Sequence, residues 1–497
     1  MRYTIKHILP IISIIILANI ISLFIYIRHD FTQSKRYSLS KVSRDIVKNN
    51  NKPISVDFYT SDELPQDEQK LAKEFHALLK EYKSLSSSPF DINIIHPNTQ
   101  EKEFAATKAG LEPIYKEIRV KNFEKIQRIF IGAVFHIDNK KIVIPKINFD
   151  TPIEYEITRM FKQATDTIKP VIGFIRGHRE MGFAKMKQLV NKVILKANIQ
   201  KVDLNSPKPL TSNNVLCIID PKDSYTDAEL RKLEDYLQQG GRLFIALNHA
   251  VGQLGKHNNG YINRTGIEDA LEEYGLKIRY NFVVDNSCGT IAIHQQFGNL
   301  NFQSNINLPY IPIITNFQKH SITFGINSIL VPFASSIEHV KSKRHYHFLP
   351  LARTSALSGV QEAPIFFDFN KQWVQEDFQE PNNIIAALLS NERLNSSIIT
   401  ITNAEFISDE IAMSGPVDNV EFAFNAIEWL SDTSGLIELK NKFTTFSYLD
   451  PLKESQKEFL KYLNFILPLF IIALTIVIHV QRKRKIRSEL SKPRFFK

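Results

Sequence analysis

The chain has 497 residues, enough for two or three domains with sizeable cores, and carries a formal net charge of +10. Most of this charge lies at the two ends: removing the +2 of residues 1–6 and the +7 of residues 481–497 leaves +1 for residues 7–480. A nearly neutral body lacks the basic face that nucleic-acid binding requires, so the composition excludes nucleic acid as a partner.

The first predicted element is a membrane span at residues 8–27. This segment, ILPIISIIILANIISLFIYI, has no charged residue. A helix of its length rises about 30 Å, the thickness of the hydrocarbon core of a bilayer. A cleaved signal peptide is the alternative, but the apolar run is long for one and no A-x-A-like cleavage site follows.

Residues 28–165 predict a compact α/β domain. The alternating segment ISVDFYT (54–60) indicates a strand, and apolar residues at helical spacing predict a helix over 66–85. A strand at 90–96, a short helix ending at Gly110 and further strand candidates complete a βαβ-then-ββ order. The layout is thioredoxin-like but has no C-x-x-C pair, which excludes redox chemistry of that kind.

Residues 166–440 predict a second α/β domain. Its plainest unit is a helix between the strands VLCIID (215–220) and RLFIALN (242–248), opened by a capping box of Thr226 and Glu229 and closed by a Gly-Gly pair. Strand, helix and strand joined by short loops require a right-handed parallel connection.

The α/β pattern is interrupted from about 250 to 395. Short strands between Asn, Ser, Gly and Pro indicate a β-rich insertion there. The pattern returns with SSIITITN (396–403) and with a helix after Asp418.

A linker at 441–462 leads to a second predicted span at 463–480, LNFILPLFIIALTIVIHV, which tolerates Pro468 near its start. Basic residues stand before the first span and after the second, so the positive-inside rule predicts cytoplasmic segments at 1–7 and 481–497. The body of the chain is then expected outside the cytoplasm.

The stretch VIGFIRGHRE (171–180) carries the candidate site. His178 follows a predicted strand at its carboxyl end, where α/β proteins usually bind ligands, and Glu180 could orient it as a base. The alternative is a Gly177 turn with polar residues that cap the next helix. Asp220, at the carboxyl end of the strand VLCIID (215–220), is a third candidate ligand residue, or only the start of an Asp-Pro turn.

Other motifs exclude chemistry more than they suggest it. Cys217 lies inside the apolar run VLCII, which predicts a buried free thiol, although a bridge to Cys288 is the alternative. His345 and His347 are predicted to share one face of a strand, where two metal ligands could stand, but no third ligand follows nearby. The sequence has no Walker A motif and no nucleophile elbow, so we predict neither an ATPase nor a recognisable hydrolase, and no metal or cofactor.

Several stretches together resemble the successive blocks of the gliding-associated ABC transporter auxiliary family, the GldG proteins. These stretches are RYSLSKVSRDIVKNNNKPISVDFYTSDELP, GLEPIYKEIRV with RIFIGAVFHIDNKKIVIP, VIGFIRGHRE, IIDPKDSYTDAELRKLEDYLQQGGRLFIALNHA, KHSITFGI and FAFNAIEWLSDTSGLIELKNK. Two motifs differ from the family's usual text: G-H-G-E is here GHRE (177–180), and a Gly-Asp turn is here TNAE (402–405).

The resemblance implies a first domain of the kind shared with intraflagellar-transport proteins. It implies a second domain that is doubly wound (flavodoxin-like) and related to class I glutamine amidotransferases, without the catalytic cysteine. It further implies permease and ATPase partners in an ABC-type complex linked to gliding motility and secretion. The protein would then sit in a bacterial inner membrane, contact its lipids and place its bulk in the periplasm.

The leading functional hypothesis is therefore a non-enzymatic, substrate-binding-like transporter subunit with two spans. An enzyme or carbohydrate-binding module that uses His178, Glu180 and Asp220 in an amidotransferase-like cleft is the second hypothesis. A structural anchor of a motility machine is the third.

Overall fold

The computed structural model describes residues 38–120, 123–138, 140–148, 151–165, 169–255, 257–297, 300–413, 415, 417–443 and 454–490. The predicted span at 8–27 lies outside the described residues. The chain divides into two compact units, Met1–Thr444 and Thr445–Lys497.

The amino-terminal part of the first unit contains a mixed four-stranded sheet and a separate hairpin. Its elements are α1 (Lys41–Lys48), β1 (Ile54–Thr60), α2 (Gln66–Leu85), β2 (Phe90–Ile95), α3 (Gln100–Ala109), β3 (Ile114–Val120), β4 (Phe123–Ile129), β5 (Ile131–Ile137), β6 (Lys140–Ile144) and α4 (Ile153–Thr165). The sheet order is β2-β1-β5-β6, in which β1 and β2 are parallel and the other pairs antiparallel, while β3 pairs with β4.

Aromatic side chains fill the core of this sheet. Phe75 and Tyr82 of α2 are fully buried, with Phe75 5.0 Å from Phe58 of β1 and Tyr82 5.4 Å from Phe161 of α4 between ring centroids. Helix α2 begins and ends at the predicted residues because its apolar side chains recur at helical spacing.

The rest of the first unit is built on a larger sheet. Its elements are β7 (Val171–Ile175), a 3-10 turn (Phe183–Lys185), α5 (Lys187–Lys196), β8 (Asn198–Val202), a 3-10 turn (Leu210–Ser212), β9 (Val215–Ile219), α6 (Asp227–Gln238), β10 (Arg242–Ala246), β11 (Ala250–Gln253), β12 (Asn259–Ile262), α7 (Ile267–Tyr274), β13 (Leu276–Ile278), β14 (Asn281–Asp285), β15 (Cys288–Phe297), β16 (Leu300–Ile314), β17 (Asn316–Phe317), a 3-10 turn (Ser321–Thr323), β18 (Ile329–Leu330), β19 (Ile337–His339), β20 (His347–Arg353), β21 (Ser358–Glu362), β22 (Ile365–Phe366), a 3-10 turn (Gln375–Asp377), β23 (Ile384–Asn391), β24 (Ser396–Ile401), a 3-10 turn (Glu405–Ile407), α8 (Asp409–Ala412), α9 (Asn419–Ser431) and a 3-10 helix (Leu436–Phe443).

Five neighbouring strands of the larger sheet are parallel, in the order β24-β10-β9-β7-β8. Read from β8 to β24 and numbered along the chain, this order is 2-1-3-4-5, the order of flavodoxin-like doubly wound sheets. Antiparallel strands β23, β19 and β13 extend the sheet beyond β24. The predicted mixed α/β fold is confirmed.

Helices cover both faces of the parallel strands. Residues of α5 and α9 pack in one core cluster with Cys217, and residues of α6 and α7 pack in another with Leu216 and Ile218. Neighbouring residues of β9 point to opposite faces of the sheet, and helices cover both faces. All five positions of β9 are therefore buried, and its sequence is an uninterrupted apolar run.

Gly173 gives β7 room between its neighbours. A Cβ there would lie 2.5 Å from Oδ1 of Asn213 and 2.7 Å from side-chain carbons of Leu216 and Val202. We expect Gly173→Ala to lower the free energy of unfolding by about 1–3 kcal/mol, since overpacking a core displaces backbone and side chains. Gly182→Ala is the matched control in chemical denaturation, because a Cβ there meets nothing within 4 Å and its φ is −69°; equal midpoints for the two variants would contradict the prediction.

The region predicted as a β-rich insertion contains several small sheets. Strands β11, β12 and β22 form one, β14 pairs with β21, and β15, β16 and β18 form another. The helix α7 within this region was not predicted, and β19, β20 and β23 join the large sheet, so the region contributes to the core instead of lying apart from it.

The second unit is described as one helix, α10 (Glu454–Leu490), with Pro468 inside it. The helix begins within the predicted linker and runs into the basic tail. Among the described residues, its segment Lys461–Lys485 is long and apolar enough to cross a membrane, with a mean hydropathy of 2.5.

Candidate functional site

The direction of strand succession reverses between β7 and β9, and ligands of open α/β sheets bind beyond the carboxyl ends of the strands at such a point. The loops after β7 and β9 are bonded together there: Lys222 N donates to the carbonyl of His178 at 2.8 Å, and Met181 N to that of Ile219 at 3.0 Å. We call the polar side chains of this edge the switch-point cluster; its members are His178, Glu180, Asp220, Tyr225, Glu229, Asn248 and Asn403.

The His178 side chain lies between two carboxylates. Its Nε2 is 3.2 Å from Oε2 of Glu229, and its Nδ1 is 3.4 Å from Oε1 of Glu180. Its ring stacks on Tyr225 with 3.8 Å between centroids. His178 is only 7% exposed, so the imidazole packs inside the protein and is not presented to a substrate.

Glu180 is tied to its own turn. Its Oε2 accepts hydrogen bonds from the backbone N–H groups of Gly177 and His178, both at 3.0 Å. Its Oε1 accepts one from the hydroxyl of Tyr225 at 3.2 Å. The carboxylate therefore caps its own turn and not, as the structural alternative predicted, the next helix, which begins at Lys187 without a side-chain cap from its N-cap residue.

Two further buried glutamates also accept hydrogen bonds from the backbone N–H groups of nearby residues. Glu229 closes the predicted capping box with Thr226, and Glu268 accepts from Thr265 N at 3.0 Å. Burial would raise the pKa of Glu229, but its bonds to Thr226 and the neighbouring His178 outweigh burial and lower it. In Glu268, burial is likewise outweighed by His249 and the bonds from the loop backbone, so its pKa is also lowered. Both carboxylates are thus held charged by their partners.

Asp220 belongs to a separate part of the cluster. Its Oδ1 accepts from Nδ2 of Asn248 at 2.8 Å and lies 2.7 Å from Nζ of Lys222. The Oδ1 of Asn248 accepts in turn from Nδ2 of Asn403 at 3.1 Å and from the N–H of Ala404 at 2.7 Å. One buried amide thereby ties together the ends of β9, β10 and β24.

Glu405 presents a carboxylate at the solvent edge of this network. Desolvation by the crowded surroundings, followed by repulsion from Asp220, raises its pKa, although Lys222 and Lys185 oppose the shift. The groups that face solvent at this edge are thus the carboxylate of Glu405 and the partly exposed ammonium group of Lys222. Within the described ranges no group of three or more His, Cys, Asp or Glu side chains could hold a metal ion.

The structure brings two of the three predicted site residues together. His178 and Glu180 share one network, whereas Asp220 bonds to Asn248 and Lys222 in the other. Sequence reasoning did not find Tyr225 or Asn248 as partners, because the loops that supply them meet only through the sheet order. The available signal was that Tyr225 follows the predicted strand 215–220 and that Asn248 is the last residue of the predicted strand 242–248.

Two smaller predictions are also decided. Cys217 is a buried free thiol and Cys288 is free, as predicted, and burial raises the pKa of Cys217. The prediction that His345 and His347 share a strand is wrong: His345 has a φ of +60° before β20 begins at His347. A turn conformation at His345 breaks the alternation that the prediction assumed.

Arg179 stands where the resembled family has glycine, and its φ is +55°, in the left-handed region. It also forms an ion pair with Asp223 on the surface. We expect Arg179→Gly to melt higher than Arg179→Ala by roughly 2 °C, since both lose the ion pair and only glycine is free of Cβ strain there. Thermal unfolding followed by circular dichroism measures the difference; an alanine variant as stable as the glycine variant would count against strain at this turn.

The fold and the cluster define a doubly wound α/β protein whose switch-point side chains mainly bond to one another. The chain belongs to the family described as ABC-type uncharacterized transport system, whose model matches residues 169–426. A second model, of a domain of unknown function, matches residues 33–136.

Comparison with individual proteins gives more distant likenesses. An uncharacterized protein of Borreliella burgdorferi is 23% identical over 438 residues, covering 83% of this chain and 84% of that protein. The solved mmIFT52 N-terminal domain is 16% identical, with a TM-score of 0.37 over 52% of this chain and 96% of its own. A putative thua-like protein from Parabacteroides merdae is 8% identical, with a TM-score of 0.29 over 53% of this chain and 90% of its own. At such TM-scores neither structure supports an argument about this fold.

Proposed function

We propose that the protein is a non-enzymatic auxiliary subunit of an ABC-type transporter in a bacterial inner membrane. The family match supports the transporter assignment. The apolar segment of α10 carries the membrane assignment: none of the side chains in its most apolar window is buried, although its mean hydropathy is 2.5. Apolar surface of this extent is stable in lipid or against other membrane helices, not in water.

The topology is part of the proposal. In this proposal the chain crosses the membrane at 8–27 and 463–480. Basic residues lie before the first span and after the second, so both termini are in the cytoplasm and the body is in the periplasm. We assign residues 28–165 to a thioredoxin-like domain and residues 166–440 to an amidotransferase-like domain. The sheet orders support these assignments, and the resemblance to GldG proteins supports a role in gliding motility and its secretion.

The enzymatic alternative is less favoured by the geometry. His178 is buried against Tyr225, and Glu180 uses both carboxylate oxygens to cap its turn and bond Tyr225. A general base must reach a substrate proton, and neither group is positioned to do so.

Purification of the full chain in mild detergent tests the partners. We expect a permease and an ATPase to co-purify with it. As a matched pair, Leu474→Arg places a charge in the apolar segment and Lys461→Arg leaves the charge unchanged; we expect only the first to disturb the insertion of this helix and to lose the partners. Co-purification of neither subunit with the unaltered chain would overturn the proposal.

Labelling of intact cells tests the topology. One accessible cysteine at a time is introduced, at Lys208 in an exposed loop or at Ser488 in the basic end of α10, in a Cys288→Ser background that keeps only the buried Cys217. A membrane-impermeant maleimide is expected to label Lys208→Cys before lysis and Ser488→Cys only after it. The reverse order would contradict cytoplasmic termini.

A further inference from the structure

The longest hairpin of the described chain extends well past its own core. At its base, Leu308, Tyr310 and Ile311 are buried, and Tyr310 packs against Phe367 and Trp373. From Thr290↔Asn307 to Phe297↔Leu300, β15 and β16 pair only with each other among the described strands. We call residues 290–297 and 300–307 the arm.

The arm is uncharged. Residues 286–318 contain no Asp, Glu, Lys or Arg, whereas 23% of the whole chain is charged. A stretch of this length at the average composition would hold several charges, so their absence is a property of this segment. Exposed positions of the arm carry Thr290, Ala292, Ser304, Asn305 and Asn307.

The outer edge of the arm is unprotected. Along the arm each strand has one unpaired edge; the edge of β15 is unpaired over the whole strand, whereas β16 also pairs with β18 at Ile313 and Ile314. Half of the backbone N–H and C=O groups of β15 therefore face away from β16. Soluble proteins normally block such an edge with lysine, proline or a covering element. The pairs from Thr290 to Phe297 contain neither lysine nor proline, and the register shift lies below them, between Cys288 and Thr290. The edge is therefore open to another strand.

We propose that β15 pairs with β15 of a second copy of this chain, in antiparallel register, and thereby forms a four-stranded sheet across a two-fold axis. In such an isologous contact each residue meets a residue of the same strand, so a charged edge would place like charges close together. An edge without charge satisfies this condition. It offers no charge pattern to select a different protein and no basic residues to bind an anionic lipid surface.

A matched pair of substitutions tests the contact. Ala292 and Asn305 are directly paired, so they lie at the same height along the arm and differ in strand. Ala292→Lys puts a charge on the pairing edge, and Asn305→Lys puts the same charge one strand away. In full-length protein purified in mild detergent, we expect light scattering to give a twofold lower protein mass for Ala292→Lys, with the unaltered chain and Asn305→Lys remaining as two copies.

Cross-linking provides a second readout, which detects the contact directly and does not require a variant to dissociate the two copies. In a Cys288→Ser background, Ala292→Cys is expected to give a two-copy product with a bismaleimide shorter than the roughly 14 Å that separates the outer strands of such a sheet. Asn305→Cys is expected to give little product. A single-copy mass for the unaltered chain, equal behaviour of the two lysine variants, or an adduct of Ala292→Cys with a different protein or with lipid would each overturn the proposal. The contact is independent of the transporter assignment, which the co-purification tests separately.

Discussion

Glu428→Ala is expected to lower the free energy of unfolding by about 3 kcal/mol, the loss that follows when one member of a buried ion pair is removed. Glu428 lies on α9, where Oε2 accepts from Nζ of Lys440 at 3.0 Å and Oε1 pairs with Lys196 and accepts from the hydroxyl of Tyr155 at 3.3 Å. The side chains of Glu428 and Lys440 are only 12% and 10% exposed, so the variant leaves an ammonium group in a crowded site without its partner.

This carboxylate joins separate parts of the first unit. Tyr155 comes from α4 of the amino-terminal part, Lys196 from the end of α5, and Lys440 from the 3-10 helix after α9. These groups line a cavity of about 380 Å³ together with Phe324 and other side chains. Each of its charged side chains has an ion-pair partner, which favours a junction held by ion pairs over a ligand site.

The pH dependence of the Glu428 effect has a definite sign. Burial alone would raise its pKa, but Lys440 and Lys196 together outweigh burial and lower the pKa below its ordinary 4.5. A depressed pKa contributes stability above the ordinary value, and that stability is lost as the pH falls through the folded-state pKa. The difference between the unaltered chain and Glu428→Ala is therefore largest near neutral pH and shrinks below about pH 4.5.

Glu421→Ala is the control for this prediction. Glu421 lies on the same helix and also pairs with a lysine of α5, Lys192, but the two side chains are 47% and 39% exposed. Surface pairs of this kind contribute about 0–1 kcal/mol. Denaturant unfolding at pH 7 and pH 4 measures both variants; if Glu428→Ala costs no more than Glu421→Ala, the junction does not depend on this carboxylate.

The sequence was most informative where structure depends on neighbouring residues. The helix at 66–85 and the capping box of Thr226 and Glu229 were predicted correctly because each is fixed by side chains within a few turns. The arm was not predicted, because its pairing joins strands whose apolar and polar residues resemble those of the surrounding loops. Glu428 was not predicted either, since its partners at Tyr155 and Lys440 are brought to it only by folding.

The candidate site shows the same division. A strand followed by a polar turn predicts where His178 and Asp220 lie, since the carboxyl ends of parallel strands share one edge. This pattern does not predict which side chains contact or hydrogen-bond to the residues of these two turns. Tyr225 and Asn248 do so here, and they convert what the sequence presents as a candidate ligand pocket into a largely closed network.

Asn248→Ala is expected to lower the free energy of unfolding by about 3 kcal/mol. The side chain is 5% exposed and serves Asp220, Asn403 and the N–H of Ala404, so its removal leaves buried polar groups without partners, each worth about 1–3 kcal/mol. Asn263→Ala is the matched control: this amide is partly exposed and donates to the carbonyl of Pro221 at 3.2 Å, so we expect a loss below about 1 kcal/mol.

Asn248→Asp separates the electrostatic part of this network from its packing. The variant keeps the size and the acceptor for Ala404 but turns a carboxylate toward Asp220, where Glu405 already has a raised pKa because of its desolvation and the same neighbour. An introduced acid with a raised folded-state pKa destabilises above its ordinary pKa, and the penalty disappears as the pH falls below it. Unfolding of Asn248→Asp at pH 7 and pH 4 should therefore show recovery toward the unaltered chain at the lower pH, which Asn248→Ala should not show. If Asn248→Ala instead unfolds like the unaltered chain but loses its co-purifying partners, the edge of the sheet is a contact surface, and its amide is kept for binding, not for holding β9, β10 and β24 together.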